Sequence, residues 1–141
     1  MNGGDAMELG GKAKARVLIV EDETLLSMVI EDALTDEGYE VVGTARSEPE
    51  AVSLAVAHVP DLVLMDIRLA GNTDGIEAAA QILARTGIRC LMATAFTDDT
   101  TRRRAAPVQP LGWLAKPYDH GDMVRAVAEA LRHKQDPSGI Q

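Results

Sequence analysis

Five residues of types that can bind a metal ion or a phosphate follow or end short apolar segments of the sequence. Glu21 and Asp22 follow RVLIV, Asp66 ends LVLMD, Thr94 ends CLMAT, and Lys116 follows GWLA. Carboxylates are the ligands that hard divalent cations prefer, and ammonium and hydroxyl groups can bind phosphate oxygens. If the fold brings these side chains together, they indicate metal-assisted binding or transfer of a phosphoryl group.

The apolar segments around these residues have the pattern of buried parallel strands. RVLIVE, DLVLMD, IRCLMAT and GWLAKP are continuous apolar runs of strand length, which is typical of strands covered by helices on both faces. The stretches between them are amphipathic; Leu26, Ile30, Ala33 and Leu34, for example, share one helical face. This alternation predicts an α/β fold with a doubly wound parallel sheet, five strands and five helices.

Two features mark the predicted fourth helix. Pro107 and Pro110 lie close together in AAPVQPLGW, and each lacks an amide donor and restricts the residue before it. We therefore expect this helix to be short or irregular. Before the prolines, Arg102 to Arg104 form a basic run. A solvated helix face is the expected role of such a run, and a docking patch is the alternative.

The strand-end residues are expected to converge. In an open parallel α/β sheet the carboxyl ends of all the strands lie on one edge, where ligands bind. Three carboxylates, from Glu21, Asp22 and Asp66, would repel one another there unless a cation offset their charge. Mg²⁺ would do so, because it takes one or two carboxylates and keeps waters and phosphate oxygens as its other ligands. Asp66 is then the candidate nucleophile, since a carboxylate can form an aspartyl phosphate when a metal ion positions the incoming group.

With this set of residues the chain resembles the receiver domain of bacterial two-component response regulators, over about residues 15–133. The resemblance implies a flavodoxin-like sheet of strand order 2-1-3-4-5. It makes Asp66 the acceptor of a phosphoryl group from a sensor histidine kinase or a phosphotransfer protein. It also implies that Asp22, Asp66 and the main-chain carbonyl of Arg68 ligate Mg²⁺ or Mn²⁺, while Glu21 acts mostly through metal-bound water.

The resemblance assigns roles to the later strand ends as well. Thr94 corresponds to the hydroxyl that moves to the phosphoryl oxygens, and Lys116 to the phosphate-binding lysine, whose bond to Pro117 is typically cis. Trp113 stands where the family usually has tyrosine or phenylalanine, the aromatic residue that turns inward on phosphorylation; a plain core or interface aromatic is the alternative. The loop IRLAGNTDG is one residue longer than the common pattern and has Ala70 where proline is frequent.

Composition and charge restrict the partners. The net charge of −8 disfavours direct binding of nucleic acid, because phosphates would be repelled before contact. No apolar run approaches the roughly 20 residues that a membrane span needs, and the N terminus does not read as a secretory signal, so a cytoplasmic protein is expected. The single cysteine, Cys90, lies in an apolar segment and is expected to be buried.

We expect a flexible tail over residues 1–14, a receiver domain over residues 15–134 and a second flexible tail over residues 135–141. The predicted function is that of a phosphorylation-controlled switch, not an enzyme, which acts on a downstream partner protein or through a homodimer. A phosphate relay or sink, and a receiver domain excised from a larger regulator with an output domain, are the alternatives within the family.

Three other classes fit the sequence less well. Hydrolases with an aspartyl-phosphate intermediate generally have a second acid two residues after the nucleophile, where this sequence has Arg68. A nucleotide or flavin binder needs bare amides in the first turn, but EDETLLS has no glycine and three acids. A receiver fold used only as a constitutive interaction module is disfavoured, because the acceptor, the other acids and the lysine are all present.

Overall fold

The computed structural model describes residues 13–69, 71, 73–95 and 98–135, and strands and helices alternate along them. The strands are β1 (Arg16–Val20), β2 (Glu40–Ala45), β3 (Leu62–Asp66), β4 (Cys90–Thr94) and β5 (Gly112–Ala115). The helices are α1 (Thr24–Asp36), α2 (Glu48–His58), α3 (Gly75–Thr86), α4 (Asp99–Ala105) and α5 (His120–Gln135), and a 3₁₀ turn, Ala106–Val108, follows α4.

The strands form one sheet in the order β2-β1-β3-β4-β5, and every neighbouring pair is parallel. This is the predicted doubly wound arrangement. The chain moves outward from β1 to β2 and then returns to the other side of β1 with β3, so the strand order reverses between β1 and β3. Ligands of such sheets bind at the carboxyl ends beside this reversal. Glu21 and Asp22, which follow β1, and Asp66, which ends β3, stand there.

Two apolar layers hold the helices against the sheet. Alternate residues of β1 belong to different layers: Val17 and Ile19 lie in one, Leu18 and Val20 in the other. The first layer includes residues of α1 and α5, among them Ile30, Leu34, Met123 and Val127; the second includes residues of α2, α3 and α4, among them Ala55, Ile82 and Ala105. Because side chains alternate along a strand, a sheet covered on both faces requires the continuous apolar runs seen in the sequence.

The fourth helix is short, as predicted. It has seven residues and passes directly into the 3₁₀ turn, which contains Pro107. Gln109 then ends the turn with a left-handed backbone at φ 55°. Ala105 is the buried residue of α4. The helix therefore contributes little to the apolar layer below it.

Cys90 is buried at the start of β4, which confirms the expectation from its apolar segment. Burial raises the pKa of its thiol to about 12, because the charged thiolate would lose its hydration there. The thiol is therefore protonated and inert in the folded chain.

Hydrogen-bonded backbone is described up to one residue beyond each of the predicted domain boundaries, which stay a prediction. The backbone N–H of Lys14 donates a hydrogen bond to the carbonyl of Gly38 at 2.9 Å, and α5 continues to Gln135. Residues 1–12 and 136–141 of the two predicted tails lie outside the described residues. In the part of the chain that is described, no helix is long and apolar enough to cross a membrane.

Candidate functional site

Side chains from several strand ends meet at the carboxyl edge of the sheet. Carboxylate oxygens of Glu21, Asp22 and Asp66 lie within 4.8 Å of one another. The Nζ of Lys116 lies 2.9 Å from Oδ2 of Asp66 and 3.5 Å from Oε1 of Glu21. The backbone N–H of Lys116 donates to the carbonyl of Thr94 at 2.9 Å, which keeps the ends of β4 and β5 together. The structure thus brings the five strand-end residues to one place.

The site is buried and carries more negative than positive charge. Glu21 and Asp66 are only 3% and 5% exposed. Burial raises the pKa of Glu21 to about 7; the hydrogen bond from the Glu23 N–H opposes this rise, and the Asp66 carboxylate adds to it. Burial alone would lower the pKa of Lys116, but its contacts with Asp66 and Glu21 raise it above its ordinary value. One ammonium group offsets only part of the charge of three carboxylates.

The three carboxylates fit a hard divalent cation. Magnesium is bound by oxygen ligands, and two oxygens on one such ion are at most about 4 Å apart, so small side-chain movements suffice. A cation there would also relieve the repulsion between buried carboxylates. Arg68, whose main-chain carbonyl is the remaining predicted ligand, lines a cavity of about 270 Å³ together with Asp66, Thr94, Ala95 and Lys116. This cavity has room for a phosphoryl group next to the acids.

Hydrogen bonds fix the Asp66 carboxylate and the backbone after it. The N–H of Ile67 donates to the carbonyl of Ala93 at 3.1 Å, which continues the strand pairing past the end of β3. The N–H of Arg68 donates to Oδ1 of Asp66 at 3.3 Å, while Oδ2 accepts from Lys116. Both carboxylate oxygens are therefore oriented. Ala70, in the following loop, lies outside the described residues.

Gly75 is a residue of the site that the sequence analysis did not identify. Its N–H donates to the carbonyl of Ile67 at 2.7 Å, and a Cβ added to it would lie 2.0 Å from the carbonyl oxygen of Asp66. Asp74, just before it, caps α3 by accepting a hydrogen bond from the N–H of Ile76 at 2.8 Å. Glycine is needed because the first turn of α3 approaches the backbone of Asp66 so closely. The Asp-Gly pair in NTDG is the signal that could have indicated this.

Gly75→Ala should lower the free energy of unfolding by about 3 kcal/mol or more, because no rotamer change can move the new methyl group away from the backbone. Urea unfolding followed by circular dichroism measures this. Gly121→Ala in α5 is the matched control, since the nearest atom there is the mobile end of the Arg125 side chain at 3.3 Å. We expect the control to cost nothing or to stabilise the helix. Equal stability of the two variants would contradict the close approach at Gly75.

The family model described as Response regulator receiver domain matches residues 17–128, a range that includes all the strand-end residues above. The chain belongs to this family. Transcriptional regulatory protein PdtaR of Mycobacterium tuberculosis is 36% identical over 126 residues, which cover 89% of this chain and 61% of PdtaR. Phyllosphere-induced regulator PhyR of Methylorubrum extorquens is 31% identical over 130 residues, which cover 91% of this chain and 48% of PhyR.

A solved structure agrees with the fold of this receiver domain. The signal receiver domain of a modulated diguanylate cyclase from Desulfovibrio desulfuricans G20 superposes with a TM-score of 0.77 at 36% identity, covering 86% of this chain and 96% of that one. The flavodoxin-like strand order 2-1-3-4-5 expected from the sequence is therefore confirmed.

Trp113 of the receiver domain lies on the sheet face covered by α2, α3 and α4. It pairs with Met92 across β4 and β5 and is half-buried against that apolar layer. The guanidinium carbon of Arg102 in α4 lies 5.0 Å from the centroid of its ring. The indole thus contacts both the core and α4, and the choice between the switch role and a plain core or interface aromatic stays a prediction.

The receiver domain has a second cavity beside Lys116, of about 320 Å³, lined by Glu23, Leu26, Ala95, Lys116, Pro117 and Tyr118. The peptide bond between Lys116 and Pro117 is cis. Burial raises the pKa of Tyr118, and the charges of Glu21 and Asp66 raise it further, so its phenol stays neutral. Tyr118 is a second neighbour of the site that the sequence analysis did not identify.

The first helix of the receiver domain begins two residues after Asp22 and presents an apolar stripe to solvent. Leu25, Met28 and Val29 are 78%, 54% and 64% exposed. Their spacing of three and four residues places them on one face of α1. Exposed apolar side chains that cluster in this way are typical of interaction surfaces.

Proposed function

We propose that this receiver domain accepts a phosphoryl group on Asp66 from a histidine kinase or a phosphotransfer protein, and thereby changes its interaction with a downstream partner. The placement of Asp66 supports this proposal. Its Oδ2 lies 2.9 Å from the Lys116 ammonium, next to a cavity of about 270 Å³, and two further carboxylates approach within 4.8 Å.

The proposed transfer uses groups that are already in place. An oxygen of Asp66 attacks the phosphorus atom while the bond from phosphorus to the phosphohistidine nitrogen breaks, and the imidazole leaves with the electron pair. The ammonium of Lys116 moves from the carboxylate to a phosphoryl oxygen, and the hydroxyl of Thr94 donates to another. Lys116 and Thr94 both line the cavity, so both movements are small.

We propose Asp22, Asp66 and the main-chain carbonyl of Arg68 as the ligands of Mg²⁺ or Mn²⁺, with Glu21 acting through metal-bound water. The metal ion, when bound, supplies positive charge to the phosphoryl oxygens. These residues would act on the aspartyl phosphate of their own chain, so we propose a signalling acceptor and not an enzyme with a separate substrate.

Intact mass after incubation with acetyl phosphate and Mg²⁺ tests the proposal. We expect a gain of one phosphoryl group, which a chelator prevents and which added Mg²⁺ or Mn²⁺ restores. A gain that persists in chelator would contradict the metal requirement. A lack of gain, both from acetyl phosphate and from a phosphorylated phosphotransfer protein, would contradict the function.

The proposed switch involves Thr94 and Trp113. When Thr94 moves toward the phosphoryl oxygens, the space behind it lets the indole turn inward, and the phosphoryl group selects this arrangement over the other. Trp113 contacts α4 through Arg102. The surface made by α4, β5 and α5 would therefore change, and a downstream protein or a second copy of the chain would bind the changed surface.

The apolar stripe of α1 supports a protein as the phosphoryl donor. A small donor needs only the cavity, whereas a helix of a kinase or phosphotransfer protein can cover Leu25, Met28 and Val29 while its histidine reaches Asp66. Replacing one of these residues with a charged one should weaken that contact without disturbing the fold, because surface substitutions of this kind change stability little.

Leu25→Asp should slow phosphoryl transfer from a phosphotransfer protein by about tenfold or more, the effect typical of losing a central apolar contact. Transfer from acetyl phosphate should be unchanged. Val56→Asp on α2 is the control, since Val56 is 44% exposed and belongs to a different helix. Equal rates for Leu25→Asp and wild type with the protein donor would argue against docking on α1.

A further inference from the structure

The basic run of α4 makes specific contacts and is more than the solvated face expected from the sequence. The guanidinium carbon of Arg102 lies 5.0 Å from the centroid of the Trp113 ring. Arg104 forms an ion pair and a hydrogen bond with the Asp74 carboxylate. Within the described residues, Arg103 contacts neither of these groups.

These two contacts attach α4 to two different parts of the site. Asp74 caps α3 and precedes Gly75, which packs against the carbonyl of Asp66. Trp113 belongs to β5, the strand that leads to Lys116. The helix therefore bridges the segment after the candidate acceptor and the strand before the candidate phosphate-binding lysine.

Apolar packing alone holds α4 weakly. The helix has seven residues, of which Ala105 is buried, and Val108 of the following turn is the next buried side chain. A helix this short is not stable by itself, and one buried alanine removes little apolar surface from water. The contacts of Arg102 and Arg104 must therefore contribute much to its position.

We propose that two contacts, of Arg102 with Trp113 and of Arg104 with Asp74, favour the arrangement in which Lys116 pairs with the unphosphorylated carboxylate of Asp66. We call these two contacts the arginine latch. This inference rests on the proposed function. An indole that turns inward toward Thr94 has to leave the guanidinium of Arg102, while the contact of Arg104 with Asp74 keeps α4 from following the ring. The arginine latch thus opposes the rearrangement that phosphorylation favours.

Thermodynamic linkage fixes the sign of the expected effect. A contact that exists in only one arrangement lowers the population of the other arrangement. It therefore weakens the apparent binding of a ligand that selects the other arrangement. A cation–π contact at an exposed site corresponds to a factor of about two to five in such an equilibrium. Removing the contact should therefore tighten binding of a phosphoryl analogue by about this factor.

The test uses beryllofluoride with Mg²⁺ as the phosphoryl analogue. It is titrated into the full chain. Trp113, the single tryptophan, reports binding by its fluorescence, and calorimetry gives an independent dissociation constant. We expect Arg102→Ala to bind about two to five times more tightly than wild type, and Arg104→Gln to change in the same direction. Arg103→Ala, with the same loss of charge on the same helix, should bind as wild type does.

The arginine latch would be overturned if folded Arg102→Ala bound beryllofluoride no more tightly than wild type does. It would also be overturned if Arg103→Ala tightened binding as much as Arg102→Ala does. Either result would leave the proposed function intact, since wild type would still bind. Failure of wild type to bind beryllofluoride and to gain mass from acetyl phosphate would overturn both. Urea unfolding checks that each variant is folded. If Arg102→Ala is unfolded, Arg102→Lys takes its place; it keeps the charge but loses the planar stack, and it should also bind more tightly.

Discussion

Asp66→Asn should show no gain of phosphoryl mass from acetyl phosphate and Mg²⁺, whereas wild type gains one group. The amide of asparagine is not a nucleophile for phosphorus, and it removes one of the proposed metal ligands at the same time. The substitution has two opposite effects on stability. It removes the repulsion between the carboxylates of Asp66 and Glu21, but it also removes the charged partner of Lys116 at 2.9 Å. We therefore expect the free energy of unfolding to stay within about 1 kcal/mol of wild type.

Asp32→Asn is the matched control for this variant, because Asp32 is an exposed acid of α1 and the chemical change is the same. It should gain mass as wild type does. Phosphorylation of Asp66→Asn at the wild-type rate would place the acceptor elsewhere, and mass spectrometry of peptides would then locate it. Loss of mass gain in both variants would point to damage of the fold, which circular dichroism detects.

Lys116→Met should separate phosphorylation from the conformational response. Methionine keeps most of the length of the side chain but has no charge to bind a phosphoryl oxygen. We expect slower mass gain and loss of the fluorescence change of Trp113 on phosphorylation. The free energy of unfolding should fall by about 2 kcal/mol, between the values for surface and buried ion pairs, because Glu21 and Asp66 stay buried without their cation.

Lys134→Met controls for the general loss of a lysine. Lys134 forms a surface ion pair with Asp61 at 3.6 Å, and both side chains are substantially exposed. This variant should lose less than about 1 kcal/mol and keep the full fluorescence response. A normal response of Trp113 in phosphorylated Lys116→Met would argue against the role of Lys116 in the switch.

The fold and the acidic cluster could be predicted because each depends on a pattern that the sequence shows directly. Residues 17–20, VLIV, include no polar residue, so β1 has to be covered on both faces, which indicates a parallel sheet with helices on either side. In such a sheet all the strands end on one edge. The convergence of Glu21, Asp66 and Lys116 follows from that geometry, although 95 positions separate Glu21 from Lys116 along the chain.

The closest contacts around the site could not be predicted in the same way. Gly75 reads in the sequence as a weak first residue of a helix, and its necessity arises only from the carbonyl of Asp66, which the chain brings back against it. Arg102 and Arg104 have the composition of an exposed helix face. Periodicity indicates that such residues are exposed, but it does not indicate that an indole or a carboxylate from another element lies beside them.

The buried thiol of Cys90 has a practical consequence for following motion in this chain. Because that thiol is inaccessible and its pKa is raised to about 12, maleimide dyes should leave it unmodified while the protein is folded. A cysteine introduced on the exposed face of α4 could then be labelled selectively, without first replacing the native one. With the single indole of Trp113 as donor, energy transfer to such a dye would report the distance between β5 and α4 during phosphorylation.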